Sequence, residues 1–139
     1  MRAPKPLILA LTGSALLMSC STGRADYTRS PEAQRRLDES LAGRAAGKPV
    51  NCIPNYRATD MQIIDDWTIL FKEGSTVYVQ NPQGGCHGIG NHTNILVTRP
   101  VGTNRLCSGD INHLIDPVSG IGGGACVFGP FVPYTKPKS

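Results

Sequence analysis

The chain has no apolar run of the roughly 20 residues that a membrane-spanning helix needs; its longest, Leu7 to Met18, is 12. It also has little excess charge, 14 Lys and Arg against 10 Asp and Glu for a formal +4, and no basic stripe. Nucleic acid is therefore not an expected partner. No Gly-x-Ser-x-Gly elbow occurs, so the serine-hydrolase arrangement is missing. Gly84-Gly85, Gly88-Ile-Gly90 and Gly120 to Gly124 would offer backbone N–H groups to a phosphate. A phosphate loop needs a helix N-terminus aimed at its ligand, and the elements that follow read as strands. These are read as turn glycines.

What is there begins with an export signal. Arg2 and Lys5 form a basic start, Leu7 to Met18 is of h-region length, and Leu17-Met18-Ser19-Cys20 closes it. The close resembles the lipobox of bacterial lipoproteins, with a small residue before a cysteine that is lipidated and becomes the new N-terminus. The resemblance implies a signal peptide over 1–19 and lipidation at Cys20. Ser21 after it, rather than aspartate, implies the outer membrane of a Gram-negative cell, facing the periplasm. The other reading is an ordinary secretory signal, with the protein released to the periplasm. Loss of Arg2 and Lys5 leaves 12 basic against 10 acidic residues, a formal net charge of +2.

Four cysteines remain: Cys52, Cys86, Cys107 and Cys126. An even count in a small exported domain reads as two disulfides. The stretch they span is of a size at which burial alone leaves stability marginal, so such staples are expected on energetic grounds. Three pairings are possible. The nested one is favoured, Cys52 with Cys126 to tie the ends of the domain and Cys86 with Cys107 to close a glycine-rich loop.

Residues 20–50 read as a lipid-anchored tether. Ser30-Pro31-Glu32 offers an N-cap, a proline at the first helical position and an early acid. Ala33, Leu37 and Leu41 lie on one narrow stripe, and Gly43 offers a stop. The pattern predicts a short helix near 31–42, a solvated spacer lightly docked or free. From residue 51 to 134 the pattern changes to short apolar pieces between turn residues. Strands are expected at Met61–Ile64, Thr68–Lys72, Thr76–Gln80, Ile95–Thr98, Arg105–Cys107, Ile111–Ile115 and Ala125–Phe128. Their spacing points to a mainly β domain, a small antiparallel sandwich or open barrel. Residues 135–139 form a polar tail.

The centre of that domain is Trp67 to Gln80, read as a hairpin turning at Glu73-Gly74. That register pairs Lys72 with Ser75 and Ile69 with Tyr78. It places Trp67, Ile69, Phe71 and Tyr78 on one face and Leu70, Val77 and Val79 on the other, so both faces need cover. Pro117 to Gly124, with four glycines in eight residues, is read as a loop. Cys126 to Tyr134, broken by proline, is read as an edge or an extended covering segment.

Gly43 to Ile53, Ile64 to Phe71, Val77-Tyr78-Val79, Leu106 to Asp110 and above all Gly129-Pro-Phe-Val-Pro-Tyr134 resemble a family of small exported lipoprotein-like proteins. These come from proteobacteria, sphingomonad-type bacteria in particular, and carry a domain of unknown function. The resemblance covers most of the chain after residue 43. It implies an exported, small, mostly β protein and carries over no catalytic residue.

The nearest thing to a chemical site is Cys86-His87 with His92, and His113 elsewhere. Thiolate and imidazole would hold zinc, or act as nucleophile and base. An exported cysteine is more often half of a disulfide. In that case His87 and His92 remain as weak metal candidates with no third ligand in sight. Asp65 and Asp66, adjacent on the chain, point apart on a strand and suit turn capping better than shared catalysis. The reading is a non-catalytic binding domain without a cofactor. It would engage an envelope protein or glycan through loops near 82–94 and 117–124. The alternatives are a thiol- or metal-dependent site at Cys86, His87 and His92, and an inhibitor of an envelope-attacking hydrolase.

Overall fold

The computed structural model describes residues 27–54, 60–99, 102 and 104–137; the signal segment, Cys20 and the end of the polar tail lie outside them. Among the described residues no helix is long and apolar enough to cross a membrane. The elements are α1 (Pro31–Leu41), β1 (Ala45–Ala46), β2 (Cys52–Pro54), β3 (Met61–Asp65), β4 (Thr68–Glu73), β5 (Thr76–Gln80), β6 (Ile95–Thr98), β7 (Arg105–Cys107), β8 (Ile111–Ile115), β9 (Gly122–Val127) and β10 (Phe131–Thr135). They form three antiparallel sheets: β1-β10-β5-β4-β3, β2-β7 and β6-β8-β9. The protein is mainly β, an open sandwich, with no closed barrel among the described residues.

The central hairpin is present in a different register. Glu73 pairs with Thr76 and Phe71 with Tyr78, so the turn is Gly74-Ser75. Gly74 has φ 55° and Ser75 keeps an ordinary negative φ, which fits a type II′ turn with glycine first. The shift is by two residues. Because side chains alternate with period two, it leaves those within β4 and β5 on their expected faces.

Both faces of the hairpin are covered. On one, Ile69, Phe71 and Phe131 pack with Ile53 of β2, Leu106 of β7, Leu114 of β8, and Ile89 and Phe128 from connecting segments. Phe71, Phe128 and Phe131 meet edge to face with ring centroids 5.7–5.8 Å apart, a geometry that the ring quadrupoles favour. On the other face, Ile64, Leu70, Val77 and Val79 meet α1 through Ala33, Leu37 and Leu41.

The expected spacer helix is thus a third layer. Ser30 Oγ caps it by accepting from Ala33 N at 3.2 Å, and Arg36 Nη2 donates to Ile64 O at 2.6 Å. Trp67 leaves the hairpin face assigned to it. It lies in the β3–β4 turn, with its indole against Gly85, where a Cβ would come within 3.1 Å of the ring.

The cysteine pairing corrects the nested expectation. The bridges are Cys52–Cys107 and Cys86–Cys126. β2 and β7 pair with Cys52 directly opposite Cys107, and this long-range register decides the partner. Gly122 to Gly124, expected in a loop, belong to β9, where Gly124 pairs with Leu114 and Gly122 with Ile115 across a register shift at Gly123. A β ladder is made by backbone groups, and the missing side chain at Gly123 leaves room for Asn94, whose Oδ1 would be 2.7 Å from a Cβ there. β10 lies between β5 and the two-residue β1. Pro133 fits because its carbonyl accepts from Gly47 N at 2.7 Å, so its ring nitrogen points to the β1 side and no bond to β5 is lost.

Candidate functional site: the outer face of the three-stranded sheet

β8 is the middle strand of its sheet. Asn112 and Leu114 turn inward, at 0% and 1% exposure, so Ile111, His113 and Ile115 must turn outward. Cross-strand register adds neighbours on that same face: Ile95 opposite Ile115, Val97 opposite His113, Ala125 opposite His113 and Val127 opposite Ile111. The result is an aliphatic face with His113 as its only titratable group in these registers. Ile95 is 49% and Ile111 60% exposed.

The β8–β9 connection, at the end of this sheet, adds further exposed apolar side chains. Asp116 Oδ1 accepts from Val118 N at 2.8 Å and Ser119 N at 3.0 Å, and Asp116 N donates to Ile121 O at 3.0 Å. Those backbone donors, Ser119 first and then Val118, hold the Asp116 carboxyl below its ordinary range. The pinned turn presents Val118 at 96% and Ile121 at 70% exposure. Four of the six exposed large hydrophobic side chains among the described residues therefore sit on one sheet and its turn. Exposed apolar side chains gathered on one sheet and its turn suit a protein interaction site.

The residues singled out for chemistry are arranged differently. Cys86 is fully buried and bridged, so it has no free thiol to act as nucleophile or zinc ligand. His87 is exposed and meets Trp67 edge-on at 5.6 Å, and Trp67 in turn stacks at a tilt with Tyr27 at 5.3 Å. Burial, then the hydrogen bond and charge of Asp65, raise the Tyr27 phenol above its ordinary range. His92 is exposed with φ 59°, and His113 lies on the aliphatic face. Among the described residues no three His, Cys, Asp or Glu side chains gather as a metal site would require.

The aspartates act structurally. Asp65 Oδ1 accepts from Trp67 N at 2.8 Å, and Asp66 Oδ1 accepts from Gly90 N at 2.7 Å. The 82–94 segment is folded on itself and on the β3–β4 turn, through Cys86 N to Asp66 O at 2.6 Å and Asn94 Nδ2 to Gly88 O at 3.1 Å. Of the two loops expected to bind, 117–124 carries the exposed apolar side chains, while 82–94 buries its Ile89. The aliphatic face itself was not foreseen, because Ile111, Leu114 and Ile115 place apolar residues on both sides of β8.

No family model, curated protein or solved structure matches this chain.

Proposed function

We propose that this protein is a lipid-anchored, non-catalytic cell-envelope protein that docks a partner protein through the outer face of β6-β8-β9 and the 117–124 turn. Lipidation at Cys20 and a periplasm-facing outer-membrane location follow from the lipobox-like sequence. Two disulfides suit an oxidising compartment. The observation that carries the docking role is the largely aliphatic face of β6-β8-β9, with Val118 and Ile121 exposed in the adjoining turn. A mostly aliphatic surface favours a protein partner over a glycan, whose hydroxyls need polar groups to replace water.

The test is photo-crosslinking in cells from single positions on the full chain. A crosslinker at Ile111 or Val118 is expected to trap one protein at high yield, and one at Glu32, on the opposite layer, to trap none. Clean recovery of the uncrosslinked chain from both face positions rejects the docking role. Intact mass of the membrane-extracted protein, with Cys20 carrying the lipid or not, decides the anchor separately.

A further inference from the structure

A groove of about 440 Å³ lies on the other side of the molecule, between the last turn of α1 and the five-stranded sheet. Its floor is Leu70 and Val77, and its charged walls are Glu39 from α1, Arg44 beyond it, Asp60 at the start of β3 and Lys72 from β4. Two of these walls have partners within the fold. Arg44 donates to the Ser75 carbonyl, and Arg35 holds Glu39 at 2.7 Å. Ser40 Oγ donates to Arg36 O at 2.8 Å and bridges to Gln62 Oε1 at 3.3 Å. The β3–β4 register that pairs Met61 with Phe71 puts Asp60 across from Lys72. Two cations and two anions thus surround an aliphatic floor, in a space within the range of small-ligand pockets.

We infer that this groove binds a zwitterionic amino acid or short peptide. Its carboxylate lies between Arg44 and Lys72, its ammonium faces Glu39 and Asp60, and an aliphatic side chain lies on Leu70 and Val77. A planar guanidinium with one branch already fixed by Ser75 O keeps further N–H donors for a carboxylate. A purely anionic ligand would face the two carboxylates and a purely cationic one the two cations. Only a molecule carrying both charges matches all four walls. This site is independent of the docking face.

The experiment is a nitrogen-15 amide titration of the full chain as purified from cells. The probes are a set of aliphatic dipeptides, each also with its amino end acetylated and with its carboxyl end amidated. The expected result is movement confined to amides around Ser40, Arg44, Gln62, Leu70, Lys72 and Val77 at millimolar free dipeptide. At least a tenfold loss of affinity is expected on blocking either end, and a similar loss in Lys72→Gln and in Asp60→Asn, whose spectra report directly that they are folded. No movement with any dipeptide overturns the inference. So does movement that survives blocking of either end, or that centres on Ile111 and Val118 instead.

Discussion

Arg29 and Asp65, 36 positions apart, form the contact that fastens the N-terminal segment to the β3–β4 turn. Arg29 Nε donates to Asp65 Oδ2 at 2.6 Å, and the two side chains are 23% and 11% exposed. The same guanidinium donates from Nη2 to Thr68 Oγ1 at 2.5 Å and from Nη1 to Gln34 Oε1 at 3.1 Å. One planar fork therefore joins the entry to α1, the turn and the first residue of β4. The helix is seated by this contact as well as by its two leucines.

Replacing Arg29 with alanine leaves the mostly buried Asp65 carboxylate without its cation. The expected loss is about 2 kcal/mol, the scale for orphaning a charged hydrogen-bonding partner. Arg29→Lys should recover little of it, because an ammonium cannot reach three acceptors in the fork geometry. Urea unfolding of both variants measures this, and lysine behaving like arginine would show that charge alone matters.

The two bridges should differ in access. Cys86 and Cys126 are 0% and 3% exposed, whereas Cys52 and Cys107 are half-buried at the margin of the small sheet. A thiolate reductant must reach a sulfur to attack it. Timed mild reduction followed by alkylation and peptide mass analysis is expected to label Cys52 and Cys107 first. Each bridge closes a long loop, of 55 and 40 residues, and removing either as a double serine variant should cost about 4 kcal/mol in the chain-entropy account.

Which cysteines pair was not legible in the chain for a physical reason. The choice depends on β2 meeting β7 in one register, and Cys52-Ile53-Pro54 is too short to announce itself as a strand. The strands at Thr76–Gln80, Ile95–Thr98 and Ile111–Ile115 were legible because β-branched residues stand between turn residues, and Arg105–Cys107 because a short apolar piece does. The hairpin faces survived a wrong turn because the error was two residues, an even number. Gly122 to Gly124 were misread because composition reports packed side chains and says little about backbone pairing. The same limit hid the candidate docking face. In Ile111-Asn-His-Leu-Ile115 apolar residues fall on both sides, and only the inward turn of Asn112 settles which side faces water. The groove left no local trace, since its walls come from four separate segments.

Gly129 and Gly74 should respond differently to a methyl group. At Gly129 a Cβ would stand 2.5 Å from the Asn81 carbonyl oxygen, so two backbone segments must separate. At Gly74 there is open space and only a positive φ of 55°. Gly129→Ala is expected to cost about 3 kcal/mol, as overpacking against backbone does. Gly74→Ala should cost about 1 kcal/mol, the strain of a positive φ alone. Thermal unfolding of the pair decides, and equal losses would mean that the β5–β10 connection gives way without strain.

Acid should loosen the turn that presents Val118. Asp116 is held below its ordinary pKa by the backbone N–H groups of Ser119 and Val118, so the folded chain binds its proton less readily than the unfolded chain does. The stabilisation from this carboxylate is therefore complete above the unfolded value of 3.8. It is lost as pH falls through the lower folded value. Following the Asp116 carboxyl carbon and the Val118 and Ser119 amides by NMR from pH 6 to pH 2 should show all three moving together, with a midpoint below that of a model peptide. Asp116→Asn keeps one acceptor oxygen and removes the charge, so its amides should lose that shared transition while the rest of β8 and β9 stays in place. If Val118 and Ser119 do not follow the carboxyl, the turn is held by the Asp116–Ile121 and Asp116–Gly120 backbone bonds, and presentation of Val118 is independent of pH.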